Sequence, residues 1–333
     1  MRITMKDVAQ RADVSIKTVS RVVNGEGEIS EETIRRVQEV IDELGYRPNR
    51  MARGLVTQRT NSIGLVVPNI NNPFYPEVAE AVMSTARASQ HHMLLCSHEN
   101  NYQEQQAILD SLVAQGVDGI IIFPALHGVE PLIRFSASFS PLVIVNHKVE
   151  HPGICVVRAD IAQGAAHAVD YLVSKGHRQI GMIKAERSPA NRRWREQGFK
   201  QAMAAHGLTL SDGSMVAGDS TASDIDGGYA AAHELLVHHP EITAIFCYND
   251  LMAIGAMRAC QDMNRRVPKD CAIVGFDDIT MAGIVRPSLT TIRINKYELG
   301  AEAARQLLTM LNDDSQEVEH VVLDVDLIIR ESA

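Results

Sequence analysis

The chain has 333 residues, 45% of them hydrophobic and 22% charged, the composition of a globular protein with room for two or three domains of roughly 150 residues. Its net charge of −9 excludes a generic nucleic-acid coat, yet residues 1–60 hold 11 Lys+Arg against 9 Asp+Glu while the remainder holds 21 against 32. Five cysteines, none in a C-x-x-C pair and most inside apolar stretches such as AIFCY, read as reduced core thiols of a cytoplasmic protein, with neither a signal-peptide core nor an apolar run of membrane length.

Three short helices are predicted over residues 4–44. Thr4 followed by Asp7 is a capping signal, and Val8, Ala9 and Ala12 mark one face of the first helix. Asp13-Val14-Ser15 forms the turn. Ser15 caps a second helix that places Val19, Val22 and Val23 on a buried stripe and Lys17, Arg21 and Asn24 on the opposite face. Ser30, with Glu31 and Glu32 in the first turn, opens a third helix packed through Ile34, Val37, Ile41 and Leu44, and Gly45 ends it. Residues 47–61 (RPNRMARGLVTQRTN) carry Pro48 at a helix-starting position and only about two turns of helical pattern. That is below the roughly 12 residues at which an isolated helix becomes stable, so this hinge is expected to order when something docks on it.

From residue 62 short apolar runs (SIGLVV, HMLLC, GIIIF, PLVIV, QIGMI, TAIFCY, CAIVGF) alternate with amphipathic stretches near 77–90, 103–115, 161–175, 194–206, 225–238 and 251–263. Continuous apolar strands between helices indicate parallel sheets covered on both faces. The rhythm repeats on either side of residue 160. The expected architecture is therefore α/β: a three-helix head (1–46), a hinge (47–61) and two doubly wound, Rossmann-like lobes (62–333). The first lobe would take 62–160 and 291–320, the second 161–290 and 321–333.

A basic head on an acidic body suggests DNA reading by a helix-turn-helix. Lys and Arg reach guanine edges and phosphates, and small hydroxyl or amide residues fix register on the backbone. The competing reading is that Lys17, Arg21 and Asn24 form a solvated surface. Ile16 is compatible with two placements, an extension of the core stripe or a contact with a thymine methyl.

The segments MKDVAQRADVSIKTVSRVVNGEGEISEETIRRVQEVIDELGYRPNRMARGL, VVPNINNPFYPEV, GHRQIG, FCYNDLMAIGAM, VGFDD and RPSLTTI closely resemble the lactose repressor and galactose repressor (LacI/GalR) family over essentially the whole chain. The family's turn usually has Gly where this chain has Asp13, a residue that tolerates left-handed geometry. The resemblance implies that Ile16, Lys17 and Arg21 read bases and that Ser15, Asn24 and Thr33 contact the DNA backbone; Thr18 and Asn49 complete the DNA-facing set. In the hinge it implies Leu55 as a wedge in the minor groove with Ala52 against it. The bottom-up reading agrees, because a lone apolar residue in a basic, conditionally folded segment has no core to enter; packing on the body below is its alternative.

The body resembles the periplasmic sugar-binding fold. Ligands of doubly wound sheets bind beyond the carboxyl ends of the strands, where Phe74, Asn146, His147, Asn249 and Asp277 fall; Arg195 matches an arginine that the family aims into the cleft. Carboxylate, amide and guanidinium groups around an aromatic face suit a ligand with several hydroxyls, although Asn249 and Asp277 are equally placed to cap the helices that follow them. Catalytic motifs are missing: HELLVHH has His at i and i+5 instead of i and i+4, and no P-loop, G-x-G-x-x-G or G-x-S-x-G occurs. The expected protein is a non-enzymatic transcription regulator with no cofactor or metal. Its partners would be a near-palindromic double-stranded operator, a small polar effector and a second copy of itself, with no membrane and no heptad tail for a tetramer. A doubly wound sugar-metabolising enzyme and a stand-alone sugar-binding protein are the alternative classes.

Overall fold

The computed structural model describes residues 3–25, 27–47, 59–125, 129–185, 189–218, 224–312 and 320–333, with the backbone alone for 24 and 189–192. They fall into two compact units, Met1–Thr60 and Asn61–Ala333.

The first unit is the three-helix head: α1 (Met5–Arg11), α2 (Ile16–Asn24) and α3 (Glu31–Leu44). The Asp7 carboxylate accepts both the backbone N–H and the hydroxyl of Thr4, at 2.7 and 2.6 Å, fixing the start of α1. Ser15 caps α2 by accepting the Thr18 N–H at 3.0 Å, and Ser30 caps α3 through the Thr33 N–H at 3.4 Å. Asp13 takes φ +52° in the turn between α1 and α2, the left-handed geometry allowed to it. Val8, Ala9, Ala12, Val19, Val37, Val40 and Tyr46 form the buried centre, with Val22, Val23, Ile41 and Leu44 packed round it. Ile34 departs from expectation at 43% exposure. It stands in the first turn of α3, ahead of Val37, the first buried residue of that helix.

The second unit alternates strand and helix. Its first half runs β1 (Ser62–Val67), α4 (Phe74–Ala88), β2 (His92–Ser97), α5 (Tyr102–Ala114), β3 (Gly119–Ile122), α6 (Glu130–Ser136), β4 (Leu142–Val145) and β5 (Ile154–Ala159). Its second half runs α7 (Ile161–Ser174), β6 (Ile180–Ala185), α8 (Pro189–Ala205), β7 (Met215–Gly218), α9 (Ile225–His238), β8 (Ala244–Cys247), α10 (Asp250–Asp262), β9 (Ala272–Asp277), α11 (Thr280–Ile284) and β10 (Thr290–Ile294). Helix α12 (Lys296–Asn312) and strands β11 (Val321–Leu323) and β12 (Val325–Ile328) complete it. One sheet has the order β2-β1-β3-β4-β5-β11, all parallel; the other has β7-β6-β8-β9-β10-β12, parallel except for β12. The central strands β3, β4, β8 and β9 are buried at every residue, which is why they read as unbroken apolar runs.

The C-terminal lobe boundaries need correction. Strand β10, expected to return to the first lobe, pairs with β9 in the second sheet; the run VVLDVDLIIR, expected as one strand of the second lobe, splits into β11 in the first sheet and β12 in the second. The chain therefore crosses between lobes three times, after β5, after β10 and between β11 and β12. Apolar packing continues from one lobe into the other, with Ile63, Val143 and Leu307 in the same buried cluster as Phe199, Phe246 and Phe276. Among the described residues no helix is long and apolar enough to cross a membrane, and no group of His, Cys, Asp or Glu is arranged to hold a metal ion.

Candidate functional site

Both sheets follow the doubly wound order in which the strand sequence reverses beside the first strand, and the crevice at that reversal lies beyond the carboxyl ends. Beyond β1 the Asn72 side chain accepts the Phe74 N–H at 3.0 Å and starts α4 there, three residues earlier than the periodicity alone suggests. This holds Phe74 and Tyr75 against Phe123, which follows β3, in edge-on contacts with ring centroids 5.2 to 6.3 Å apart.

The second lobe faces these rings with Arg195 of α8, Asp224 before α9, Tyr248 and Asn249 after β8, and Asp277 at the end of β9. The Arg195 guanidinium is 4% exposed and lies 4.2 and 4.1 Å from the ring centres of Tyr248 and Phe276. Its Nη2 approaches Asp277 Oδ1 at 3.4 Å, while Nε and Nη1 are buried with no hydrogen-bond partner among the described residues. Burial pushes the Asp277 carboxyl up to about 6 although Arg195 and Lys296 favour its ionised form. Burial likewise raises Asp224, to about 7, and Asp277 adds to the effect. Tyr75 is raised too, by burial first and then by Tyr248, Asp277 and Asp224; these influences reach it across the cleft from the other lobe.

Of the sequence-predicted residues, Phe74, Arg195, Asn249 and Asp277 come together here. Asn249 also caps α10, accepting the Met252 N–H at 2.8 Å, whereas Asp277 caps no helix and sits at φ +106°. Asn146 is buried with its Oδ1 accepting the Ala159 N–H at 3.0 Å, a lock between the ends of β4 and β5. His147 lies edge-on to Trp194 at 6.3 Å, with Arg158 5.7 Å from the same indole, and burial lowers its pKa. Tyr75, Phe123, Asp224, Tyr248 and Trp194 were not anticipated. Tyr75 and Tyr248 adjoin anticipated residues, but Asp224 follows the polar stretch GDSTAS, which carries no sign of burial.

In the head, Ile16 is 49% exposed, outside the packed centre, and shares an exposed surface with Lys17 and Arg21. That removes the core placement for Ile16. Ser15 and Thr18 join hydroxyls at 2.9 Å, as do Ser30 and Thr33. The side chain of Asn24 is not among those described, and Asn49, Ala52 and Leu55 lie outside the described residues.

Comparison with known proteins gives this geometry its context. The profile for bacterial regulatory proteins of the lacI family matches residues 4–49, and that for periplasmic binding proteins and the sugar-binding domain of the LacI family matches residues 60–331. The chain belongs to the LacI family. Catabolite control protein A of Priestia megaterium is 34% identical over 333 residues, covering 100% of this chain and 99% of that protein. The transcriptional repressor PurR of Pasteurella multocida is 33% identical over 331 residues, covering 99% and 98%. The lac repressor dimer bound to operator and the anti-inducer ONPF superposes with a TM-score of 0.88 at 26% identity over 100% and 99% of the two chains. A CelR–cellobiose complex does so with 0.75 at 32% over 100% of each. LacI-family membership makes this chain a DNA-binding transcriptional regulator and sets aside the sugar-metabolising enzyme.

Proposed function

We propose that the protein is a cytoplasmic, homodimeric repressor. It reads a near-palindromic operator through Ser15, Ile16, Lys17, Thr18, Arg21, Asn24, Thr33 and Asn49, with Leu55 as a wedge in the minor groove and Ala52 against it. A small polyhydroxylated effector binds between the lobes, against Phe74, Asn146, His147, Arg195, Asn249 and Asp277, and sets operator affinity. The observation that carries the effector reading is Arg195: among the described residues two of its buried donors, each worth roughly 1–3 kcal/mol when unmade, have no hydrogen-bond partner, and its guanidinium lies beside the Tyr248 and Phe276 rings and the Asp277 carboxylate. The lac repressor dimer on its operator and the complex of CelR with cellobiose support the dimer, the DNA and the sugar class.

Selection from random duplexes tests the DNA half. A two-fold dimer enriches a near-palindrome, and Lys17→Ala or Arg21→Ala relaxes preference at particular bases at about 1–3 kcal/mol per lost contact. Leu55→Ala weakens the selected duplex without moving the melting temperature. Recovery of no common sequence, or undiminished selectivity in both head variants, overturns this reading.

A further inference from the structure

We propose that Asp278 is a positioning residue of the effector site: clamped by Arg293 and Arg330, it holds the backbone that presents the Asp277 carboxylate to Arg195, and it does not itself touch the ligand. This deepens the effector reading above and rests on it.

Strand β9 ends in Asp277 and is followed at once by Asp278, and both acids have positive φ. Asp277 stands at +106° and Asp278 at +52°. The second value lies in the left-handed island that aspartate tolerates, whereas the first lies beyond it, where residues with side chains are rare. Strain of this kind persists where the surroundings over-determine the backbone.

Four parts of the second unit do so here. On β10, Arg293 stands opposite Asp277 in the ladder, and its Nε donates to Asp278 Oδ2 at 2.7 Å. Beyond β12, Arg330 Nη2 donates to Asp278 Oδ1 at 2.6 Å. Arg330 is itself fixed, since its Nη1 reaches the Leu289 carbonyl at 2.8 Å and its backbone N–H the Thr290 hydroxyl at 2.9 Å. On α12, Lys296 Nζ donates to the carbonyls of both acids, at 2.8 and 2.7 Å. On α10, the buried Asp250 accepts the Ile279 N–H at 2.8 Å and the Thr291 hydroxyl. The Asp278 side chain, both carbonyls and the amide that follows are therefore tied, and the Asp277 carboxylate is left 3.4 Å from Arg195.

The two acids divide the work by their surroundings. Each oxygen of Asp278 meets a guanidinium, and these charge-assisted bonds outweigh its burial and keep it ionised. A ligand would have to displace an arginine to reach it. Asp277 has instead the long approach from Arg195, whose Nε and Nη1 have no hydrogen-bond partner among the described residues. Ligand contact falls to Asp277 and the holding of its backbone to Asp278.

The test is titration calorimetry on the full chain with ribose, glucose, galactose and cellobiose, comparing Asp278→Asn, Arg293→Gln and Arg330→Gln with the parent. The asparagine keeps one acceptor but turns an N–H toward the other guanidinium. Each variant should weaken the sugar that binds by about tenfold, the scale of one lost hydrogen bond to a charged group. Arg330→Lys, which keeps the cation but not the fork, should lose less than Arg330→Gln. In an Asp277→Asn background, where the positioned carboxylate is gone, Asp278→Asn should add less than about twofold. Thermal melts certify folding; should Asp278→Asn unfold, Arg293→Gln carries the test, because that side chain is 45% exposed. Undiminished affinity in the folded arginine variants beside a loss in Asp278→Asn makes Asp278 a ligand contact and overturns the proposal. So does a full further loss in the Asp277→Asn background. A sugar that depends on Asp277 and Arg195 but is indifferent to Asp278, Arg293 and Arg330 sinks this inference alone. Binding by no sugar, or by one indifferent to Asp277 and Arg195, sinks the effector cleft and this inference with it.

Discussion

Asp224 is more comfortable protonated than ionised in the ligand-free fold, because burial opposes its charge and Asn249 only partly offsets that. A carboxyl raised from its ordinary range to about 7 adds stability that is fully present in acid and is lost as pH climbs from about 4 through about 7. Each unit is worth about 1.4 kcal/mol, so the loss amounts to a few kcal/mol. Asp224→Asn, which cannot ionise, should therefore gain on the parent protein in urea resistance steadily from pH 5 to pH 8; parallel profiles would contradict this. Asp278 shows the opposite sign. Hydrogen bonds from Arg293 at 2.7 Å and Arg330 at 2.6 Å outweigh its burial and hold it below the usual carboxylate range, so its contribution persists at neutral pH and fades in acid. Nothing in the string around Asp224 separates it from Asp278, since both are acids beside a turn. Phe74, Asn249 and Asp277 were legible because they directly follow apolar strands, whereas the burial of Asp224 depends on Asn249 and Asp277, 25 and 53 positions away.

At the level of elements, helices α9 and α10 meet backbone to backbone. A Cβ on Gly255 would stand 2.0 Å from the Ile225 carbonyl oxygen, and one on Gly228 would stand 2.2 Å from that of Met252. Neither neighbour is a side chain that can swing aside, so Gly255→Ala should destabilise the second unit by about 1–3 kcal/mol. Gly283→Ala, with open space around its Cβ, is the control and should leave the denaturation midpoint nearly unchanged. Equal midpoints for the two variants would refute the close-packing argument. In the head, Ser15→Ala removes the cap of α2 at a cost of about 1 kcal/mol and should lower operator affinity by fraying the start of the helix that bears Lys17 and Arg21. Elements of this kind were readable, because buried parallel strands announce themselves as apolar runs and caps have short-range signatures. Sheet membership was not. Thr290–Ile294 mixes Thr, Ile and Arg, and whether it joins β9 or returns to the first lobe is decided by the crossovers, not by its own composition.

On the scale of the whole molecule, the three crossings make the lobes two bodies joined at a seam, and Lys296 sits at one of them. At the start of α12 its Nζ donates to the carbonyls of Asp277 and Asp278 at 2.8 and 2.7 Å while pairing with Glu77 on α4, so it ties the floor of the effector cleft to the first lobe. An effector that touches Tyr75 on one side and Asp277 and Arg195 on the other favours one lobe orientation over the rest, and it can shift that equilibrium only by its difference in affinity between orientations. If the favoured orientation also sets how well the two recognition helices of a dimer reach their half-sites, linkage is compulsory. The factor by which effector changes operator affinity equals the factor by which operator changes effector affinity, about 5- to 150-fold for couplings of 1–3 kcal/mol. Calorimetry of the neutral sugar that binds, with and without saturating operator, should therefore return the same ratio as operator titrations with and without that sugar. Arg195→Ala should abolish the ratio and leave sugar-free operator binding at its normal level. Lys296→Met, which cuts the tie and also removes a cation that favours ionised Asp277, should shrink the ratio while sugar still binds, though more weakly. A sugar that binds with one affinity whether or not operator is present would show that the cleft and the head are not coupled.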